Sequence, residues 1–406
     1  MKSSAIIFLF LLMPSLLLAQ GISGTWQSAS ATGFTARNDL TSSVVSNKIY
    51  VIGGLDKSTL DNKLEVYDPS TDSWSTPTTT GTLTGRWGAS SCVVDGKIYV
   101  MGGFNSAKGG VLNVLEVFDP VANTWSVPSI KGIFTGRDDF AASVVGGKIY
   151  TFGGSGVAQN SIVSAVDVYD PAANTWSTLT TTGTFTPRWG PTSAIVNGKI
   201  YVIGGSDQHG ELNTVEVFDP ATNSWSTPQT TGTFTARYSL TSSTLDGKIY
   251  ALGGSTSNAD ALNTLEVFDP VTNVWSTPKT TGKFTLRAEL TSSVVGKSIY
   301  VLGGYNDSST LNINEVFTPS VNAVGEAAPL QISLFPNPTN GIVSIKNIPE
   351  NTLRVSIMNL LGETMMQLNN PHTSDFTLDL SKLVPGTYYI RFSSANSVVT
   401  KAIIKN

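Results

Sequence analysis

The sequence predicts an all-β chain, a ring of six four-stranded sheets followed by a small β-sandwich, and three observations carry that prediction. A strand of the form Gly-Lys-Ile-Tyr-Val-Ile, ending in a glycine pair, returns about every fifty residues, at Gly53-Gly54, Gly102-Gly103, Gly153-Gly154, Gly204-Gly205, Gly253-Gly254 and Gly303-Gly304. A period of that length with strands and no helical pattern marks a radial array of sheets, a β-propeller. Charged residues make up only 13% of the 406, where about 25% is usual, and Thr, Ser, Asn and Gly fill the deficit, as in β-rich proteins that work outside cells. The repeat stops at Thr318, and a new run of short alternating segments begins near 330.

Residues 1–19 read as a removable export signal. Lys2 supplies the positive start, 5–18 an apolar run broken by Pro14, and Ala19 a small residue for cleavage, so the mature chain is expected to begin at Gln20. No later stretch reaches the roughly eighteen consecutive apolar residues that a membrane-spanning helix needs, and no transmembrane segment is expected. A net charge of −4 gives no basic footprint for nucleic acid or an anionic membrane surface. Cys92 is the one cysteine. No internal disulfide can form, and packing between repeats must supply the stability.

Within the first repeat, Arg37 leads into a strand through Thr41 to Val45, Ser46-Asn47 makes a tight turn, and Ile49 to Ile52 alternate until the glycines. A third strand over 64–67 ends at Asp68-Pro69, whose proline presets a turn. Trp74 follows on a fourth, outer strand. The same order recurs with Trp125, Trp176, Trp225 and Trp275 after Asp119-Pro120, Asp170-Pro171, Asp219-Pro220 and Asp269-Pro270. In this combination of Arg, Gly-Lys-Ile-Tyr, Gly-Gly, Glu-Val-Phe-Asp-Pro and Asn-x-Trp the chain resembles the kelch family over about three quarters of its length. The sixth copy is incomplete: Glu315-Val316-Phe317 is followed by Thr318-Pro319 and no tryptophan. Trp26 stands about fifty residues before Trp74, in phase with the outer tryptophans. The N-terminal strand is therefore expected to complete the last sheet and close the ring, removing an open edge.

The resemblance implies that the strand after each arginine is innermost, and small residues such as Thr41-Ser42-Ser43 and Ala141-Ala142-Ser143 suit a crowded axis. It also places Arg37, Arg86, Arg137, Arg188, Arg237 and Arg287 near one mouth of the channel. Six guanidinium groups there would either receive an anionic ligand or, since every repeat carries one, satisfy loop carbonyls and serve the fold. The two residues after each arginine differ between repeats: Asn38-Asp39, Trp87-Gly88, Asp138-Asp139, Trp189-Gly190, Tyr238-Ser239 and Ala288-Glu289. Variation inside a copied unit is what a binding surface needs. Trp87, Trp189 and Tyr238 would stack on sugar rings while Asp39, Asp139 and Glu289 accept hydroxyl protons, or the aromatics fill space beneath loops.

Copper-dependent kelch oxidases hold their metal with two histidines and tyrosines. Only His209 and His372 are present here, and His372 lies outside the repeats, which counts against that chemistry. Metal-free sialic-acid mutarotases of the same family use acidic and arginine side chains, and the arginines with Asp39, Asp139 or Glu289 would do similar proton transfer. Asp207, His209 and Glu211 share one loop, but nothing completes a metal site at recognised spacing. No phosphate loop and no nucleophile elbow occurs. No cofactor and no metal is expected. The leading expectation is a non-catalytic module that binds glycan or protein, with a sugar-modifying enzyme such as a sialic-acid mutarotase or epimerase as the alternative.

After the propeller, taken as 20–318, a linker is expected over 319–329 and a small sandwich over 330–406. Seven strand-like stretches fall at 331–335, 342–346, 354–360, 364–368, 376–380, 387–392 and 398–404. Phe335-Pro336-Asn337-Pro338-Thr339-Asn340-Gly341, Leu361-Gly362, Pro385-Gly386-Thr387-Tyr388-Tyr389 and the ending Lys401-Ala402-Ile403-Ile404-Lys405 resemble, in order, the C-terminal sorting domain of type IX secretion substrates. That resemblance implies export to the periplasm, then passage by the type IX machinery to the outer-membrane surface or the medium, commonly with loss of the sorting domain.

Overall fold

The computed structural model describes residues 22–56, 59–60, 62–157, 161–259, 261–306, 308–321, 332–348, 352–359, 363–369, 375–394 and 398–406. The expected leader at 1–19 and most of the expected linker lie outside them. By internal contacts the chain divides after Asn322 into two units.

In the first unit the chain builds the same antiparallel sheet from each repeat. Thr41–Val45 pairs with Lys48–Ile52, then Leu64–Asp68, then Ser73–Ser75. Ser46 and Asn47 both take positive φ (51° and 61°), the turn whose twist matches the two flanking strands. In Lys48–Ile52, Ile49, Val51 and Ile52 are buried while Lys48 stays in solvent. Six sheets follow this order, and their inner strands touch in a cycle from Thr41–Val45 through Ser90–Val94, Ala141–Val145, Thr192–Val196 and Thr241–Leu245 to Thr291–Val295, which returns to the first.

The glycine pairs sit where one sheet meets the next. Gly54 N–H donates to the Arg86 carbonyl at 2.8 Å, and the corresponding bonds run on around the ring until Gly304 reaches Arg37 at 2.9 Å. Both glycines of a pair have positive φ, and a Cβ on Gly102 would stand 2.4 Å from the Arg137 carbonyl oxygen. Positive φ and backbone approach together admit no side chain. On the inner strands the small residues do more than fit. Their hydroxyls bridge neighbouring sheets, as in Thr41 to Ser91, Ser143 to Ser193 and Ser42 to Ser293, each at 2.8 Å.

Ring closure follows the same rules. Ile22–Ser28 pairs antiparallel with Asn314–Val321, placing Trp26 opposite Phe317 as Trp74 stands opposite Tyr67. Trp26 stacks on Phe284 at 4.4 Å, repeating the Phe34 to Trp74 stack at 4.3 Å. Pro319, Ser320 and Val321, expected in the linker, are strand instead. Ile22, Ser23 and Gly24 on the closing strand are their partners, so their backbone groups are satisfied there.

The described residues of the second unit form seven strands in two sheets. Ser333–Phe335, Ile342–Lys346 and Phe376–Asp379 form one; Thr364–Asn369, Thr352–Met358, Gly386–Ser394 and Val398–Lys405 form the other. They share a core of Val343, Ile345, Val355, Ile357, Leu378, Ile390 and Ile403. No helix among the described residues is long and apolar enough to cross a membrane.

Candidate functional site

Between repeats the chain passes from the outer strand of one sheet to the inner strand of the next, and its last step, as from Arg37 to Thr41, begins at the arginine. The six arginines do not form an anion-receiving rim. All are buried, and each pairs with a carboxylate on the third strand of its own repeat: Arg37 with Glu65 at 2.5 Å, Arg86 with Glu116, Arg137 with Asp167 at 2.5 Å, Arg188 with Glu216 at 2.6 Å, Arg237 with Glu266 and Arg287 with Glu315 at 2.7 Å. The same carboxylates accept from the threonine two residues before the arginine, as Glu65 does from the Thr35 hydroxyl at 2.6 Å. Burial pulls Arg137 and Arg287 down to about 10, with Asp167 and Glu315 opposing it. At neutral pH they remain cations, spent on holding the crossover to the blade.

Immediately beyond, the second residue after each arginine joins a closed ring of backbone hydrogen bonds. Gly88 N–H donates to Asp39 O at 3.1 Å, Asp139 to Gly88 at 2.9 Å, Gly190 to Asp139 at 2.8 Å, Ser239 to Gly190, Glu289 to Ser239 and Asp39 to Glu289, each at 2.9 Å. All six are left-handed, with φ of 51° at Asp39, 64° at Gly88, 48° at Asp139, 61° at Gly190, 51° at Ser239 and 56° at Glu289. The ring surrounds a small cavity of about 110 Å³ on the channel axis, into which Asp39, Asp139 and Glu289 contribute their surfaces.

Among the described residues these three acids have no cationic partner. Burial first, then Glu289, Asp139 and Asp138, push the Asp39 carboxyl well above the usual carboxylate range. Burial, then Asp138 and Glu289, push Asp139 up to about 8, and burial raises Glu289. Asn38 tempers the crowding, its side-chain amide donating to Glu289 at 2.5 Å and to Asp39 at 3.1 Å. Asp138, a neighbour that the sequence reading left out of its candidate set, is buried and raised to about 6 by burial.

The first residue after each arginine pairs with the residue after the glycine pair: Asn38 with Leu55, Trp87 with Phe104, Asp138 with Ser155, Trp189 with Ser206, Tyr238 with Ser255 and Ala288 with Tyr305. These six pairings lie next to the ring of backbone bonds, with Asn38, Asp138, Ser206, Ser255 and Ala288 buried among them. Trp189 and Tyr238 come together at 4.5 Å, while Trp87 lies apart from them on Phe104 at 5.0 Å; all three candidates are half-buried. Phe104 and Tyr305 were missed because only the step from Gly-Gly into the next segment, read across all six copies, would have revealed a second variable position. Asp207 accepts from the backbone of His209 and Gly210 at 2.7 and 3.1 Å and closes a turn, and Glu211 accepts from Ser257. Among the described residues no group of three His, Cys, Asp or Glu is arranged to hold a metal ion. Cys92 is buried, and burial pushes its thiol up to about 12.

Comparison with known proteins now places the chain. The KLHDC2/KLHL20/DRC7 Kelch-repeats domain matches residues 15–154 and 139–323, and the secretion system C-terminal sorting domain matches 333–406. The chain belongs to the kelch-repeat β-propellers. It ends in a sorting domain that implies export by type IX secretion to the cell surface or the medium. Similar proteins include an F-box/kelch-repeat protein of Arabidopsis thaliana, 40% identical over 88 residues (22% of this chain and 22% of that one). The Rab9 effector protein with kelch motifs of Rattus norvegicus is 30% identical over 162 residues, 39% of this chain and 44% of its own. The N-acetylneuraminate epimerase of Pasteurella multocida (strain Pm70) is 40% identical over 72, 17% and 19% respectively. The chain thus spans less than half the length of each of these relatives.

Proposed function

We propose that this protein is an exported binding module that takes glycan or protein on the face where the channel opens, with Asp39, Asp139, Glu289, Trp87, Trp189 and Tyr238 as its contact residues. One observation carries the reading: three carboxylates stand where the backbone favours glycine. A non-glycine residue in the left-handed region costs about 1–2 kcal/mol, and crowding these acids together adds to it. Gly88 and Gly190 occupy the same position in other repeats, so the fold does not require acids there. A ligand that hydrogen-bonds to them would account for them, since burial favours the protonated form of these carboxyls and a protonated carboxyl both donates and accepts.

A glycan array probed with the full exported chain tests this. Binding is expected, and Trp189→Ala with Tyr238→Ala should abolish it while the chain still melts in a single cooperative transition. An empty array together with no protein captured from the cell surface would overturn the reading. Export itself is proposed to start with the leader at 1–19 and a periplasmic step, so N-terminal sequencing of the secreted form should begin at Gln20.

A second reading, anomer exchange on a sugar, is favoured by Asp139, whose position near 8 suits a general acid or base at neutral pH. The arginines take no part in it. Exchange on sialic acid, followed by NMR and abolished by Asp139→Asn, would support it.

A further inference from the structure

The boundary between the sixth and first repeats differs from the boundary between the fourth and fifth. Trp189 and Tyr238 meet across the latter and occupy its space. At the former, the residues after the arginines are Ala288 and Asn38, both buried and small. Their bridges to Tyr305 and Leu55 frame an open cleft of about 800 Å³. That volume lies within the roughly 300–1,000 Å³ of ligand pockets.

The lining has a definite chemistry. Tyr305 is half-buried and offers an amphipathic ring, and Ser309 and Thr310 supply hydroxyls. Asp56 and Glu289 supply carboxylates, and among the described lining residues none is basic. Glu289 also lines the axial cavity, so the cleft opens beside the crowded acids of the mouth. The six arginines, which would have welcomed an acidic sugar, are all buried in ion pairs. Among the described lining residues an incoming anion therefore meets carboxylates and no cation, whereas an ammonium group beside Glu289 relieves the repulsion with Asp39.

Building on the glycan arm of the function proposed above, we infer that this cleft recognises a sugar carrying a free amine, a hexosamine unit, with Tyr305 stacking on the ring and Glu289 pairing with the amine, and that it rejects acidic glycans.

Calorimetry on the full exported chain decides it, using glucosamine pentamer, N-acetylglucosamine pentamer, 3′-sialyllactose and pentalysine as probes. The glucosamine pentamer should bind, the acetylated pentamer at least tenfold more weakly, and sialyllactose not at all. Glu289→Gln and Tyr305→Ala should each weaken the glucosamine pentamer tenfold or more while the melting temperature stays within a few degrees of the parent. Equal binding of the acetylated pentamer, any binding of sialyllactose, or insensitivity to Glu289→Gln overturns the inference. Pentalysine binding as tightly as the amino sugar also overturns it and assigns the cleft to a basic peptide. Glycan binding that responds to Trp189→Ala but not to Tyr305→Ala removes the cleft and leaves the face as the binding surface. Absence of any glycan binding removes the inference and the glycan arm it rests on, leaving a protein ligand to the capture test.

Discussion

At the Gly-Lys end of the strands, acids sit beside lysines; at the opposite end, where the arginines cross to the axis, they sit beside each other. Lys48 pairs with Asp68 at 2.8 Å, Lys97 with Asp119 at 3.1 Å, Lys148 with Asp170 at 3.0 Å, Lys199 with Asp219 at 2.9 Å and Lys248 with Asp269. Lys48, then the Ser70 hydroxyl and backbone, hold Asp68 down at about 2. The sixth repeat replaces the pair with Ser298 and Thr318 hydroxyls 2.8 Å apart. At the mouth Asp39, Asp139 and Glu289 are instead pushed up by burial and by one another. An acid copied repeat after repeat with its cation belongs to the blade. An acid present in three repeats, with no cation beside it among the described residues and in a left-handed backbone, does not improve the blade.

The contrast can be broken most severely by opening the ring. Removing Ile22–Ser28 strips the edge of Asn314–Val321 and the stack on Phe284. The expected result is loss of a single cooperative melting transition by circular dichroism; a parent-like melt would show that closure contributes nothing.

Next in size are the buried ion pairs. Arg188→Ala leaves Glu216 buried without its partner, and denaturant titration should show a loss of about 3–5 kcal/mol. Arg188→Met combined with Glu216→Leu should recover most of it, because removing both charges also removes their desolvation cost. If the double variant is as unstable as the single, the pair is not the source.

A smaller effect of opposite sign is expected at the mouth. Below pH about 4 Asp139 is protonated in both folded and unfolded chains, and it contributes no pH dependence. As pH rises toward 8 the unfolded chain releases this proton while the native carboxyl, titrating at about 8, keeps it, so stability falls across that window and the penalty is complete above it. Asp139→Asn should therefore raise stability at pH 8 relative to pH 4 and flatten the slope between pH 4 and 8. A gain of the same size at pH 4 would mean that asparagine simply suits the left-handed backbone. Smallest of all is Lys148→Ala on an exposed pair with Asp170, where solvent screening should leave the melting temperature unchanged.

Much of the fold was legible because it is local and repeated. Ile49, Val51, the glycine pairs and the Asp-Pro turns each announce their conformation within a few residues, and six copies average out the exceptions. The phase of Trp26 pointed to closure for the same reason. The candidate site was legible only as a position: the residues after the arginines vary, and that pattern singled out Asp39, Asp139, Glu289, Trp87, Trp189 and Tyr238 as candidates. It left the arginines open between an anion site and a role in the fold, since Glu65 lies 28 residues from Arg37, and nothing in the spacing says that the carboxylate reaches inward. It also missed Phe104 and Tyr305, whose place beside the mouth comes from bridges to Trp87 and Ala288.

By itself, then, the amino-acid sequence determined the repeat, the turn chemistry, the strand that closes the circle and the sorting tail, because these depend on residue type and short-range spacing. Tertiary structure alone decided that the arginines are neutralised while three acids from the first, third and sixth repeats converge on one axis. Charge at a site depends on distance and burial, and both are set by how separate segments meet.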